Sequence, residues 1–95
     1  MTETQLKVKV LKHIRKKYKA TWVLKTNEKF TSGVPDLIIC FPPKGRVIAI
    51  ELKIGKNKAT KIQQWTLNQI HMAGGVAGVC RTLQDVDIVF NAAGI

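Results

Sequence analysis

Two carboxylates and a lysine are spaced so that one β-hairpin would bring them together. Residues 36–41 and 46–53 are short apolar runs, the second rich in β-branched residues, and Pro42-Pro43-Lys44-Gly45 between them is a turn sequence. If those four residues close an antiparallel hairpin, Phe41 faces Arg46. Moving away from the turn in step along both strands then brings Asp36 opposite Glu51. Directly opposed residues have Cβ atoms roughly 4.5–5.5 Å apart, so the two carboxylates would repel one another. A divalent cation removes the conflict, and Mg²⁺ and Mn²⁺ prefer hard oxygen donors of this kind. Lys53 follows Glu51 at the next position on the same strand face. The same spacing also accommodates a plain ion pair between Lys53 and Glu51, with Asp36 capping the turn after Pro35. A slip of one position in register would put the two acids on opposite faces.

The charge balance indicates what such a site would meet. The 95 residues carry 16 Lys and Arg against 6 Asp and Glu, a formal net charge of +10. A field of that size draws polyanions, nucleic acid first among them; the alternative is a solvated face that only maintains solubility. Most of the cations precede residue 30. Lys7, Lys12, Lys16 and Lys29 from that group are the expected phosphate contacts, together with Lys56, Lys58 and Lys61 just beyond the second strand of the hairpin. DNA is the expected partner. No helix-turn-helix or zinc-finger pattern is present to read bases, so recognition by shape and phosphate contacts is expected.

The elements that must position these residues follow from periodicity. Residues 4–18 place Leu6, Val10, Leu11, Ile14 and Tyr18 at helical spacing, with Thr2 or Thr4 to cap the start. Residues 21–26 alternate as a strand, 29–35 read as a loop closed by Gly33 and Pro35, and the hairpin follows. A basic loop at 55–58 leads into a helix over about 60–73, stopped by Gly74-Gly75. Residues 76–80 form a further strand, and Thr82 with Asp85 resembles a capping box opening a last short helix. The order α-β-β-β-α-β-α describes one mixed α/β layer fold, a single domain over residues 1–95.

Gly33-Val34-Pro35-Asp36-Leu37 followed by Glu51-Leu52-Lys53 resembles the PD-(D/E)XK nuclease pattern. With the glutamine-bearing helix beyond it, the chain looks like the VRR-NUC (virus-type replication-repair nuclease) branch, related to archaeal Holliday-junction resolvases. The resemblance implies a restriction-endonuclease-like fold: a central mixed sheet flanked by helices. It implies that Asp36 and Glu51 bind Mg²⁺ or Mn²⁺, with the backbone carbonyl of Leu52 as a further ligand. By the same resemblance Lys53 orients or deprotonates the attacking water, Gln63 is the helix glutamine (Gln64 being its neighbour on a different face), and Glu3 is the acid of the first helix. Glu3 precedes Leu6, Val10 and Ile14 on roughly one helical face, which would aim it at the sheet; a first-turn acid favoured by the helix dipole is the alternative. The implied activity is metal-dependent, structure-selective endonucleolytic cleavage of DNA, foremost at four-way junctions, by a homodimer. A flap or duplex nuclease and a catalytically inactive binding module are the alternatives.

The remaining residues support plainer expectations. No apolar run approaches the ~20 residues of a membrane span and no secretory signal is legible, so a soluble, cytoplasmic protein of a bacterial or phage-infected cell is expected. Cys40 and Cys80 read as reduced, buried thiols. His13 and His71 read as exposed helix histidines, and Glu28 as a surface acid at a strand end. Thr31 and Ser32 suit either a turn or a phosphate. Trp65, with Ile62, Ile70 and Met72, is expected to pack on the sheet rather than to form a dimer contact.

Overall fold

The computed structural model describes residues 1–19, 21–26 and 32–95. Its elements run α1 (Glu3–Lys17), β1 (Trp22–Lys25), β2 (Leu37–Phe41), β3 (Arg46–Leu52), α2 (Lys61–Met72), β4 (Val76–Cys80) and α3 (Leu83–Ala92), the expected order. The sheet is ordered β1-β2-β3-β4; the first two pairings are antiparallel, and β3 pairs parallel with β4 through the α2 crossover. In the hairpin Phe41 pairs with Arg46 and Leu37 with Ile50, the register that the turn length requires. The strands are slightly shorter than expected. Asp36 lies just before β2 and Lys53 just after β3, at the open end of the hairpin, and the Lys53 amide still donates to Cys80 C=O at 3.2 Å.

Alternation along the strands divides the sheet into two faces. Leu37 and Ile39 of β2, and Ile48, Ile50 and Leu52 of β3, pack with Leu6, Val10, Leu11 and Ile14 of α1 and with Val86, Val89 and Phe90 of α3 in one buried cluster. Each such side chain contributes roughly 1.5–3 kcal/mol by leaving water. The other face carries Ile38, Cys40, Val47, Ala49 and Glu51, and α2 packs over its β3 and β4 half. Asp36 and Glu51 thus fall on the thinner side of the domain.

Caps fix the helix limits. Thr2 accepts from the Gln5 amide while Gln5 returns a bond to Thr2, a full capping box at α1. Thr82 accepts from the Asp85 amide, but Asp85 reaches back to the Arg81 amide rather than to Thr82, so the expected box is only half formed. At the end of α2, Gly75 N–H bonds Ile70 C=O and Gly74 N–H bonds His71 C=O, with Gly74 at φ 97°. That is a Schellman stop, and it turns the chain directly into β4.

Candidate functional site

Gly33 prepares the site. Its φ of 83° favours glycine, and a Cβ there would stand 2.9 Å from Ile62 Cγ1 of α2. The chain therefore passes close under α2 before Pro35 and Asp36. Thr26 secures that passage from the end of β1: its amide donates to Asp36 C=O at 3.0 Å and its hydroxyl to Pro35 C=O. Asp36 is held in turn by the Leu52 amide, which donates to Oδ2 at 2.7 Å across the hairpin. Oδ1 is left facing the site.

Oxygens of Glu3, Asp36 and Glu51 all lie within 4.8 Å of one another. Asp36 is 8% exposed and Glu51 1%, whereas Glu3 sits on the exposed first turn of α1 and reaches over the end of the sheet. Burying carboxylates is costly unless charge or hydrogen bonds compensate, and grouping them multiplies the cost. Two ammoniums flank the group: Lys53 Nζ is 4.0 Å from Glu51 Oε2, and Lys7 Nζ is 3.6 Å from Asp36 Oδ1. Three hard oxygen donors at this spacing fit a small divalent cation.

Among the other expected site residues, Gln63 is buried and Gln64 exposed, which separates the two. Gln63 has a structural duty that the signature Thr60-x-x-Gln63 could have revealed: its Oε1 accepts from the Thr60 amide and its own amide donates to Thr60 Oγ1, the capping box of α2. Only its Nε2 is left outside that capping box. Lys12, Lys16, Lys56, Lys58 and Lys61 are exposed. Lys29, Glu28 and Thr31 lie outside the described residues. Ser32 is exposed in a turn, and His71 is exposed on α2.

Four expectations need correction. Lys7 is not simply a surface cation, since it is ion-paired within the acid cluster; the legible signal was its position one helical turn after Glu3. Trp65 is 62% exposed and does not pack in the core, because α2 buries Gln63, half-buries Leu67 and Ile70, and leaves Ile62, Trp65 and Met72 facing outwards. His13 is not a free surface histidine, and Cys40 is only half-buried while Cys80 is buried. Burial, with Asp85 adding to it, pushes the Cys80 thiol up to about 12, so it stays protonated.

His13 belongs to a second polar cluster, away from the acids. Asp87 Oδ1 accepts from Tyr18 Oη at 2.6 Å and lies 2.7 Å from His13 Nε2, while Lys17 Nζ is 3.1 Å from Oδ2. Burial alone would raise the Asp87 carboxyl, but the bonds from Tyr18, His13 and Lys17 outweigh it and hold the group down at about 2, from 3.8. Burial, then the Asp87 bond and its charge, push the Tyr18 hydroxyl well above its ordinary value. Because Asp87 titrates lower when folded, its contribution is complete above about 3.8 and disappears as pH falls through about 2. The stability advantage of wild type over Asp87→Asn, followed by urea unfolding, should therefore be full at pH 5 and shrink steadily towards pH 2. An advantage independent of pH in that window would contradict the linkage.

A mixed sheet that closes a hairpin on opposed acids, with a helix acid and two lysines around them, defines an α/β domain with the donor set for a metal ion in a strongly basic chain. The chain belongs to the VRR-NUC domain family of PD-(D/E)XK-like nucleases, whose family model matches residues 1–84. One solved structure described as a VRR_NUC domain protein superposes with a TM-score of 0.75 at 26% identity, covering 97% of this chain and 87% of that one. Another, described as a VRR_NUC domain, shares the fold with a TM-score of 0.67 at 23% identity, covering 88% of this chain and 92% of that one. No curated protein matches the sequence.

Proposed function

We propose that this protein is a Mg²⁺- or Mn²⁺-dependent, structure-selective DNA endonuclease that acts on four-way junctions as a homodimer, with residues 1–95 as one nuclease domain. The observation that carries the proposal is the convergence of Glu3, Asp36 and Glu51 oxygens within 4.8 Å, flanked by Lys7 and Lys53 in a chain of net charge +10. Asp36 and Glu51, with the Leu52 carbonyl and Glu3, would hold the cation. When bound, such an ion polarises the scissile phosphate and lowers the pKa of a coordinated water. Lys53 sets a positive charge where negative charge develops on phosphorus-bound oxygen. The Nε2 of Gln63 can donate to the water or phosphate once its Oε1 is committed to Thr60. In-line attack forms a water-oxygen–phosphorus bond and breaks the bond to the 3′-oxygen, leaving a 5′-phosphate and a 3′-hydroxyl. Lys12, Lys16, Lys56, Lys58 and Lys61, with Lys29, would carry the phosphate backbone, and Lys7 would meet it at the site itself.

The second copy has a surface to use. Trp22 and Leu24 of β1 pair with Cys40 and Ile38 of β2 on the sheet face opposite α1 and α3, and α2 does not extend over them. Trp22 is 56% exposed there, and Ile62, Trp65 and Met72 are exposed on α2. From Ile62 to Met72 the helix has no Lys, Arg, Asp or Glu. Two copies of a strongly cationic chain can meet on this face without forcing like charges together, which favours self-association over an acidic partner. Trp65→Lys should convert a dimer to a monomer in light scattering with its circular dichroism unchanged. A wild-type monomer at micromolar concentration, or a Trp65→Lys dimer, would count against this face.

No helix among the described residues is long and apolar enough to cross a membrane, and a bacterial or phage-infected cytoplasm is the proposed setting. The function is tested by offering labelled four-way junction, flap and plain duplex DNA with Mg²⁺, Mn²⁺ or EDTA. Metal-dependent cutting with preference for the junction is expected. Binding without cutting in either metal would leave a binding module instead.

A further inference from the structure

Helix α1 brings side chains of opposite sign to the acid cluster. Glu3 and Lys7 are one helical turn apart and project from the same side. Glu3 supplies an oxygen to the group, while Lys7 Nζ stands 3.6 Å from Asp36 Oδ1, with the Lys7 side chain 29% exposed. The other Asp36 oxygen is committed to the Leu52 amide at 2.7 Å. Oδ1 is therefore the atom that Asp36 has to offer a cation, and an ammonium already lies against it. A Mg²⁺–oxygen bond is about 2.0–2.1 Å long, so an ion on Oδ1 and an ammonium in its present place would stand close together and repel.

We propose that Lys7 is the resident counter-ion of the acid cluster, and that a divalent cation engages Asp36 by displacing the Lys7 ammonium. This rests on the metal-dependent reading above and deepens it. Three carboxylates set against the ammoniums of Lys7 and Lys53 leave the described cluster with one formal negative charge. A divalent ion turns that into one positive charge. The site thus changes from repelling a phosphate to attracting one when the ion enters, and the displaced ammonium remains tethered on α1 beside it. Cation binding and phosphate binding are thereby coupled through one lysine.

The test is calorimetric titration of Mn²⁺ into the full chain without DNA, comparing wild type with Lys7→Gln, Lys7→Arg and Lys44→Gln. Lys44 lies in the turn at the far end of the hairpin and controls for the lost unit of net charge. Lys7→Gln should bind Mn²⁺ about tenfold more tightly, the competing charge being gone, whereas Lys7→Arg and Lys44→Gln should stay near wild type. Binding by Lys7→Gln where wild type shows none would be the extreme form of the same result. A variant that was merely misfolded would bind more weakly, so tightening is not a by-product of damage. Equal affinities in wild type and Lys7→Gln would overturn the counter-ion role while leaving the nuclease reading intact. Absence of binding in both would overturn the two together.

Discussion

Asp36→Asn is expected to abolish metal-dependent cleavage while the protein stays folded and bound to DNA. The substitution keeps one oxygen in place to accept the Leu52 amide, a bond made in the wild type by Asp36 Oδ2 at 2.7 Å, and replaces the charged Oδ1 by a neutral NH2 that cannot ligate a cation. A cation held by one carboxylate fewer binds more weakly and polarises phosphate less. The rate should fall by roughly a thousandfold or more, about 4 kcal/mol of barrier. Asp36→Ala is the informative comparison. It removes the charge and also strands the Leu52 N–H, at an additional cost of about 1–3 kcal/mol in stability. Both variants should be inactive, yet only the alanine should unfold earlier in urea. DNA binding should be no weaker in either, since a negative charge has left a basic surface. Cleavage by Asp36→Asn at near the wild-type rate would remove Asp36 from the site.

Phe90→Ala should be the most destabilising single substitution outside the site. Phe90 is fully buried, stacks on Tyr18 with ring centroids 3.9 Å apart and an interplanar angle of 9°, and meets Phe41 edge-on at 6.0 Å. It therefore ties the end of α1 and the hairpin turn to α3. Removing a buried phenyl ring costs its transfer free energy and leaves a cavity, together about 3–5 kcal/mol. In a domain this small the whole stability is on the order of 5–10 kcal/mol, and the Tm should drop by about 15 °C or more. Phe90→Leu, which fills part of the space, should cost under half as much. Urea unfolding of both variants checks the ranking. A loss below about 1 kcal/mol for the alanine would show that the three rings do not hold these elements together.

Much of the site was legible because a hairpin has few degrees of freedom. Once the Pro42–Gly45 turn is recognised, its length fixes the register, and the register sets Asp36 against Glu51. Glu3 was legible through the helical face it shares with Leu6, Val10 and Ile14, a periodicity that points its side chain at the sheet end. Trp65 was misread for a related reason. An apolar residue on an amphipathic helix signals contact with something, but the pattern does not distinguish a core from a second molecule. Here α2 covers only β3 and β4, so its outer apolar side chains are left on the surface.

The sequence by itself determined the order of elements, the opposition of the two hairpin acids, the basic character of the surface and the family pattern, because turn chemistry, periodicity and charge are local properties. Only the tertiary structure decided that Lys7 faces Asp36, that Gln63 rather than Gln64 is buried, and that Asp87 gathers Tyr18, His13 and Lys17. Each of these depends on how one helix is rotated and seated against a partner distant in sequence. That seating is set by the packing of the whole core, in which Leu6, Ile14, Ile50 and Phe90 must all be satisfied together.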